Sequence, residues 1–152
     1  MSLESTPESD ARYMRQALAL AQQAYEDEEV PIGAIVVANG RIIGKGYNQV
    51  ERLRDATAHA EMLAITAASD FLGSKYLTDC TLYVTVEPCP MCAGALRWAQ
   101  VGRVVYGAPE QKHGYSRFGP EMLHPKCAVH AGVLEEECRD LMRSFFQERR
   151  GN

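Results

Sequence analysis

Four residues of this sequence could together hold and use a metal ion. They are His59 and Glu61 in Thr57-Ala58-His59-Ala60-Glu61, and Cys89 and Cys92 in Glu87-Pro88-Cys89-Pro90-Met91-Cys92. Two thiols three apart in a first helical turn lie on one side and can grip one ion. The partial positive charge of a helix N-terminus favours their thiolate forms. One imidazole nitrogen with two thiolates suits zinc. Three protein ligands leave a fourth tetrahedral position for water, which marks a catalytic zinc site. Glu61 need not be a ligand, because a free carboxylate beside an activated water can take its proton and later return it. Each piece alone has a plainer reading. A histidine near a helix start is commonly a cap or core residue, and Cys-x-x-Cys after a strand is also a thiol redox motif. Their occurrence together, in this order, points to one zinc per chain.

The geometry constrains the elements that carry these residues. Side chains two apart in a helix point roughly 200° apart, so His59 and Glu61 can reach one point only off the helix end. The reading therefore needs two helix N-termini facing each other. The sequence supplies them: a helix over Ala58 to Ser69, and another from Cys89 or Pro90 to Ala99, where proline suits the first turn. Apolar residues at helical spacing from Met14 to Tyr25 predict an earlier helix, and the polar residues 1–10 before it are expected to be flexible. Asn39-Gly40 joins two β-rich runs, Ile32 to Ala38 and Arg41 to Tyr47, as a hairpin. Thr81 to Val86 and Arg103 to Gly107 read as parallel strands about the cysteine helix. Ala128 to Val133 reads as a last strand. A final helix presents Leu134, Cys138, Leu141, Met142 and Phe145 on one face. Alternating strands and helices give an α/β domain, one across residues 1–152, with a mixed central sheet covered on both sides.

Composition narrows the setting. With 152 residues, a chain buries roughly 70% of its unfolded surface and needs no disulfides. The five cysteines are an odd count and do not read as a disulfide framework; Cys80, Cys127 and Cys138 lie in apolar runs and read as inert core. No stretch is apolar for the roughly 20 residues a membrane helix needs, and Met1 to Asp10 lack the apolar core of a secretory signal. A cytoplasmic protein is the expectation. The net charge of −4 argues mildly against a nucleic-acid partner. Against that, the C-terminal stretch from Arg139 to Arg150 holds four arginines against Asp140 and Glu148, and is locally positive.

His-Ala-Glu followed by Pro-Cys-x-x-Cys is similar to the signature of the cytidine deaminase-like zinc deaminases. Within them, the chain resembles the bacterial tRNA-specific adenosine deaminases from about Tyr13 to Arg150. The resemblance is carried by Glu29 to Ala34, Gly46-Tyr47-Asn48, Thr57 to Glu61, Thr81 to Cys89, Met91 to Ala95, Gly102 to Ala108, Gly132-Val133-Leu134, Glu137-Cys138 and Phe145-Phe146. It implies a three-layer α/β/α fold with a five-stranded sheet, a homodimer, zinc, and conversion of the wobble adenosine of an arginine tRNA to inosine. It also implies that Asn48 helps hold the substrate base and that the Phe145-Phe146 pair lies near the anticodon loop. The chain departs from the pattern at Glu110, where many members carry aspartate, and from His113 to Lys126.

Recognition of an RNA loop uses aromatics to stack splayed bases and cations to hold phosphates. Phe146, Arg149, Arg150 and Lys112 are the candidates here, and Glu110, in the loop that the resemblance sets near the RNA, is a further substrate-contact candidate; Phe145 fits the apolar face of the last helix and reads as core. A deaminase of a free base or nucleotide, guanine or cytosine, would use the same four residues. The long segment from Pro109 to Lys126 and the aromatic, basic end are more than such an enzyme needs. A zinc module that only holds a fold would usually close its site with four protein ligands.

Overall fold

The computed structural model describes residues 5–150. Helix α1 (Pro7–Glu26) starts two turns earlier than apolar periodicity suggests. Thr6 caps it: its hydroxyl accepts from the Ser9 N–H, while Ser9 Oγ accepts from the Thr6 N–H. Pro7 occupies the first helical turn, where a missing N–H costs nothing. Asp10, in this first stretch, is buried. It receives both guanidinium nitrogens of Arg103 at 3.0 and 2.7 Å and the Tyr83 hydroxyl at 2.6 Å. The expectation of a flexible start is therefore corrected for residues 5–10, which are anchored; residues 1–4 lie outside those described.

Strands β1 (Gly33–Ala38) and β2 (Arg41–Tyr47) form the expected hairpin. Asn39 and Gly40 both take positive φ, 53° and 72°, as a type I′ turn requires. A single turn of helix, α2 (Val50–Leu53), follows β2. Then follow α3 (Ala60–Leu72), β3 (Thr81–Val86), α4 (Pro90–Trp98) and β4 (Arg103–Ala108). Residues 109–126 carry two short 3₁₀ turns, at Tyr115–Arg117 and Pro120–Met122. Strand β5 (Ala128–Ala131) and helix α5 (Glu135–Arg150) complete the chain.

The sheet runs β2-β1-β3-β4-β5. β1 is antiparallel to both β2 and β3, while β3, β4 and β5 are parallel. Every residue of β3 is buried, as a central strand covered on both faces demands. Apolar residues of α3 and α4 pack on one face, with Ala60, Ala64, Ala68, Ala93 and Leu96 against Val36, Leu82, Val84 and Val104. Met14 and Ala17 of α1 and Cys138 of α5 pack on the other, against Ile35, Tyr83 and Val105. The result is three layers. Cys80 and Cys138 are core residues as expected, whereas Cys127 is only partly buried.

α3 lies unusually close to β2. A Cβ placed on Gly44 would come within 2.5 Å of the Ala64 carbonyl oxygen, and one on Gly46 within 2.4 Å of the Ala60 carbonyl oxygen. Bare glycines on the strand and alanines on the helix let the two backbones touch. That contact sets the height of the helix's first residue above the sheet.

Candidate functional site

The two helix ends meet as the spacing required. His59 is the N-cap of α3 and Cys89 is the N-cap of α4. No side-chain cap comes from His59 itself. Asn48 supplies it from the far end of β2, its Oδ1 accepting from the Ala60 N–H at 2.8 Å. Because an N–H demands an acceptor, this bond also fixes the amide's orientation and leaves Nδ2 as the donor Asn48 can offer. Freed from capping, the His59 ring turns toward α4. Its Nδ1 lies 3.6 Å from Cys89 Sγ and 3.5 Å from Cys92 Sγ.

These distances test the fit of a metal. Zinc bonds of about 2.3 Å to sulfur and 2.0–2.1 Å to nitrogen, at a tetrahedral angle, place N and S about 3.6 Å apart. The observed separations match, and all three donor atoms lie within 4.8 Å of one another. The hydrogen bond from Cys92 is the main cause that lowers the Cys89 thiol to about 4, against the opposing effect of burial, with His59 and the Cys92 N–H assisting. The same bond, with burial, pushes Cys92 far up, and the Cys89 sulfur raises His59. One thiolate is thus ready and a metal ion would displace the other proton.

Glu61 is 3% exposed. Burial pushes its carboxyl up to about 7, partly offset by a backbone hydrogen bond. His59, Glu61 and Cys89 all line one cleft of about 1060 Å³. Asn48, Glu110, Lys112, Phe146 and Arg149 line it too. Arg150 does not; it lines an adjoining pocket of about 250 Å³ that shares Glu110 and Phe146 with the main cleft. The two phenylalanines divide as their 100° offset requires. Phe145 is buried and Phe146 is 42% exposed, and their rings meet edge to face at 5.3 Å.

Two of the sequence candidates have their polar groups committed within the fold. Arg149 donates to the Glu28 carbonyl at 2.7 Å, and its guanidinium lies 4.4 Å from the centre of the Phe145 ring. Glu110 Oε1 accepts from the N–H groups of Lys112 and His113. Sequence reasoning passed over two buried carboxylates, Glu29 and Glu87. Glu29 accepts from the N–H groups of Glu51 and Arg52 and so holds α2 at the cleft edge. Glu87 holds the segment after Pro109. The available signal was a charged residue closing a buried strand directly before Pro88.

A three-layer α/β/α domain with one imidazole and two thiolates gathered at facing helix ends, beside a buried carboxylate, defines a mononuclear zinc hydrolase. The chain belongs to the family described as the cytidine and deoxycytidylate deaminase zinc-binding region, which matches residues 7–108. It is thus a zinc-dependent enzyme acting on a carbon–nitrogen bond. Among its relatives, the tRNA-specific adenosine deaminase of Bacillus subtilis is 45% identical, over 93% of this chain and 91% of that protein. The chloroplastic tRNA(adenine(34)) deaminase of Arabidopsis thaliana is 46% identical over 92% of this chain, which spans only 12% of that much longer protein. A solved structure from a study of A-to-I editing by tRNA:A34 deaminases superposes with a TM-score of 0.80 and 40% identity, covering 86% of this chain and 98% of that one.

Proposed function

We propose that this chain hydrolyses the wobble adenosine, position 34, of an arginine tRNA to inosine. One observation carries the reading: the zinc ligands His59 and Cys89 and the buried Glu61 open into a single cleft of about 1060 Å³ that reaches Phe146 on the last helix. That volume is at the top of the range for small-molecule sites, more than one base fills. The names of the relatives given above support adenosine 34 of a tRNA, and the family resemblance implies the arginine tRNA. An adenine stacked in a duplex could not enter, so the target must be unpaired or flipped out, as anticodon bases are.

His59, Cys89 and Cys92 would hold a zinc ion, whose Lewis acidity would make water a nucleophile at neutral pH. Glu61, with its carboxyl near neutrality, accepts the proton lost by the attacking water. It passes that proton to N1 of the adenine and then helps ammonia leave. Water adds to C6 first; the proton of the new hydroxyl then passes by way of Glu61 to N6, the C6–N6 bond breaks, and ammonia departs to leave a C6 carbonyl beside N1–H. Asn48 offers Nδ2 to an acceptor atom of the base. Phe146 stacks on a neighbouring base, and Arg150 and Lys112 meet phosphates. Arg149, already bound to Glu28, holds the cleft wall, and Glu110 shapes the loop that forms it.

The working unit we propose is one domain across residues 1–152, a homodimer, in the cytoplasm. Trp98 and Met91, 83% and 36% exposed on α4, give a second copy an apolar surface to cover. Among the described residues no helix is long and apolar enough to cross a membrane. Incubation with total tRNA and with free adenine, guanine and cytosine, followed by measurement of inosine and ammonia, tests the substrate. Inosine in an arginine tRNA is the expected product; ammonia from free bases alone would establish the small-substrate alternative. Light scattering at micromolar concentration should give a dimer mass, and a monomer would refute that part.

A further inference from the structure

Glu87 is 5% exposed and stands between the end of β3 and the metal-ligating turn. Among the described residues no lysine or arginine pairs with its charge. Instead its oxygens are satisfied by the chain that follows β4. Oε1 accepts from the Glu110 N–H at 3.0 Å. Oε2 accepts from the Ser116 N–H at 2.9 Å and the Ser116 hydroxyl at 2.6 Å. Next to it, the Tyr115 N–H donates to the Pro88 carbonyl at 2.9 Å. Four hydrogen bonds thus fasten residues 110–116 onto Glu87-Pro88, one residue from the ligand Cys89. The wrap is tight: a Cβ on Gly114 would lie 2.2 Å from Glu87 Oε2. Within the fastened segment, Glu110 turns its carboxylate onto the N–H groups of Lys112 and His113. Glu110, Lys112 and His113 all line the cleft.

We infer that Glu87 is a positioning residue for substrate specificity: it ties the 110–116 loop to the metal-ligating turn, so the wall that receives the nucleotides flanking the target base is fixed relative to the reacting centre. This rests on the tRNA reading proposed above. A carboxylate is the group the site needs, because it accepts on both oxygens and donates on neither. Glu87→Gln keeps the volume but replaces one accepting oxygen with an NH₂, so at least one loop N–H loses its acceptor. Chemistry at the metal does not pass through Glu87, whereas binding of an extended strand does.

The test compares the zinc-loaded wild type with Glu87→Gln and Ser116→Ala on tRNA, with kcat, KM, zinc content and amide exchange measured for each. Glu87→Gln should raise KM about tenfold, the factor expected for one buried N–H left without an acceptor. Its kcat should stay within about threefold of wild type, with one zinc per chain and faster exchange at 110–116. Ser116→Ala removes only the hydroxyl donor and should raise KM less, in the same direction; it keeps the question open to refutation if Glu87→Gln does not fold. Losses of zinc and kcat in step with KM would make Glu87 merely structural and overturn the inference. An unchanged KM in both variants of a tRNA-active enzyme would overturn this inference alone, and a wild type that leaves tRNA untouched would overturn both it and the functional reading.

Discussion

The arginine pair at the end of α5 separates binding from architecture. Arg149 makes one charge-assisted hydrogen bond, to the Glu28 carbonyl, and one cation–π contact, with Phe145. Glu28 is a non-glycine residue at φ 63°, so its carbonyl is gripped where the backbone is strained. For exposed groups the bond contributes about 1 kcal/mol and the ring contact about 0.5–1 kcal/mol. Arg149→Ala should therefore cost roughly 1.5–2 kcal/mol, which for a chain of this length lowers Tm by roughly 3–8 °C. Among the described residues Arg150 has no such ties, and Arg150→Ala should change stability by less than about 0.5 kcal/mol. Their effects on RNA should be reversed. Each phosphate contact to a single strand contributes about 0.7 to the slope of log K against log salt. Arg150→Ala should flatten that slope by about this amount, and Arg149→Ala should leave it unchanged while weakening binding uniformly. Calorimetry and tRNA binding between roughly 50 and 200 mM salt measure both. An Arg149→Ala protein with unaltered Tm and a flatter slope would refute the assignment.

Three other outcomes are expected. Glu61→Gln should retain fold and zinc but lose at least about 100-fold in rate, the low end for a general acid–base group; near wild-type turnover would assign the proton transfer elsewhere. Cys89→Ala should abolish zinc binding by elemental analysis and lower stability, since metal binding is coupled to folding; full zinc content would refute the ligand set. Asp10→Asn should cost about 3 kcal/mol at neutral pH, as breaking a buried ion pair does. Burial alone would push the Asp10 carboxyl up, but the Arg103 and Tyr83 hydrogen bonds outweigh it and hold it down. Its contribution is therefore present above the ordinary carboxylate value, near 3.9, and is lost as pH falls through the lower folded value. The gap in Tm between wild type and Asp10→Asn should close only in acid below about pH 4; a gap that does not depend on pH would refute the ionic account.

Much of the site was legible because its logic is local. The Asn39-Gly40 turn, the thiols three apart and the demand for two facing helix ends all follow from a few neighbouring residues. The division between Phe145 and Phe146 follows from one helical step. What escaped reading depends on partners distant in sequence. Asp10 sits in a polar stretch, and its partner Arg103 is 93 residues away. Glu29 lies in an acidic run that resembles a solvated surface, yet it is buried against the N–H groups of Glu51 and Arg52. Backbone donors have no signature in side-chain identity, so carboxylates that bind them look the same as surface charges. The start of α1 was missed for another reason: Thr6-Pro7 announces a helix by capping chemistry, not by apolar spacing.

The contact between β2 and α3 gives the metal centre a mechanical tolerance. His59 is covalently adjacent to Ala60, whose carbonyl would meet any side chain placed on Gly46 at 2.4 Å. Relief of that clash to an ordinary contact needs a lift of about 1 Å, a displacement that in an active site can cost about 100-fold in rate. A single methyl group on Gly46 would therefore detune His59 against Cys89 and Cys92 without touching metal, water or substrate. The gauge that sets the ligand spacing is an absence of side chain, on the strand that packs against the first turn of the helix.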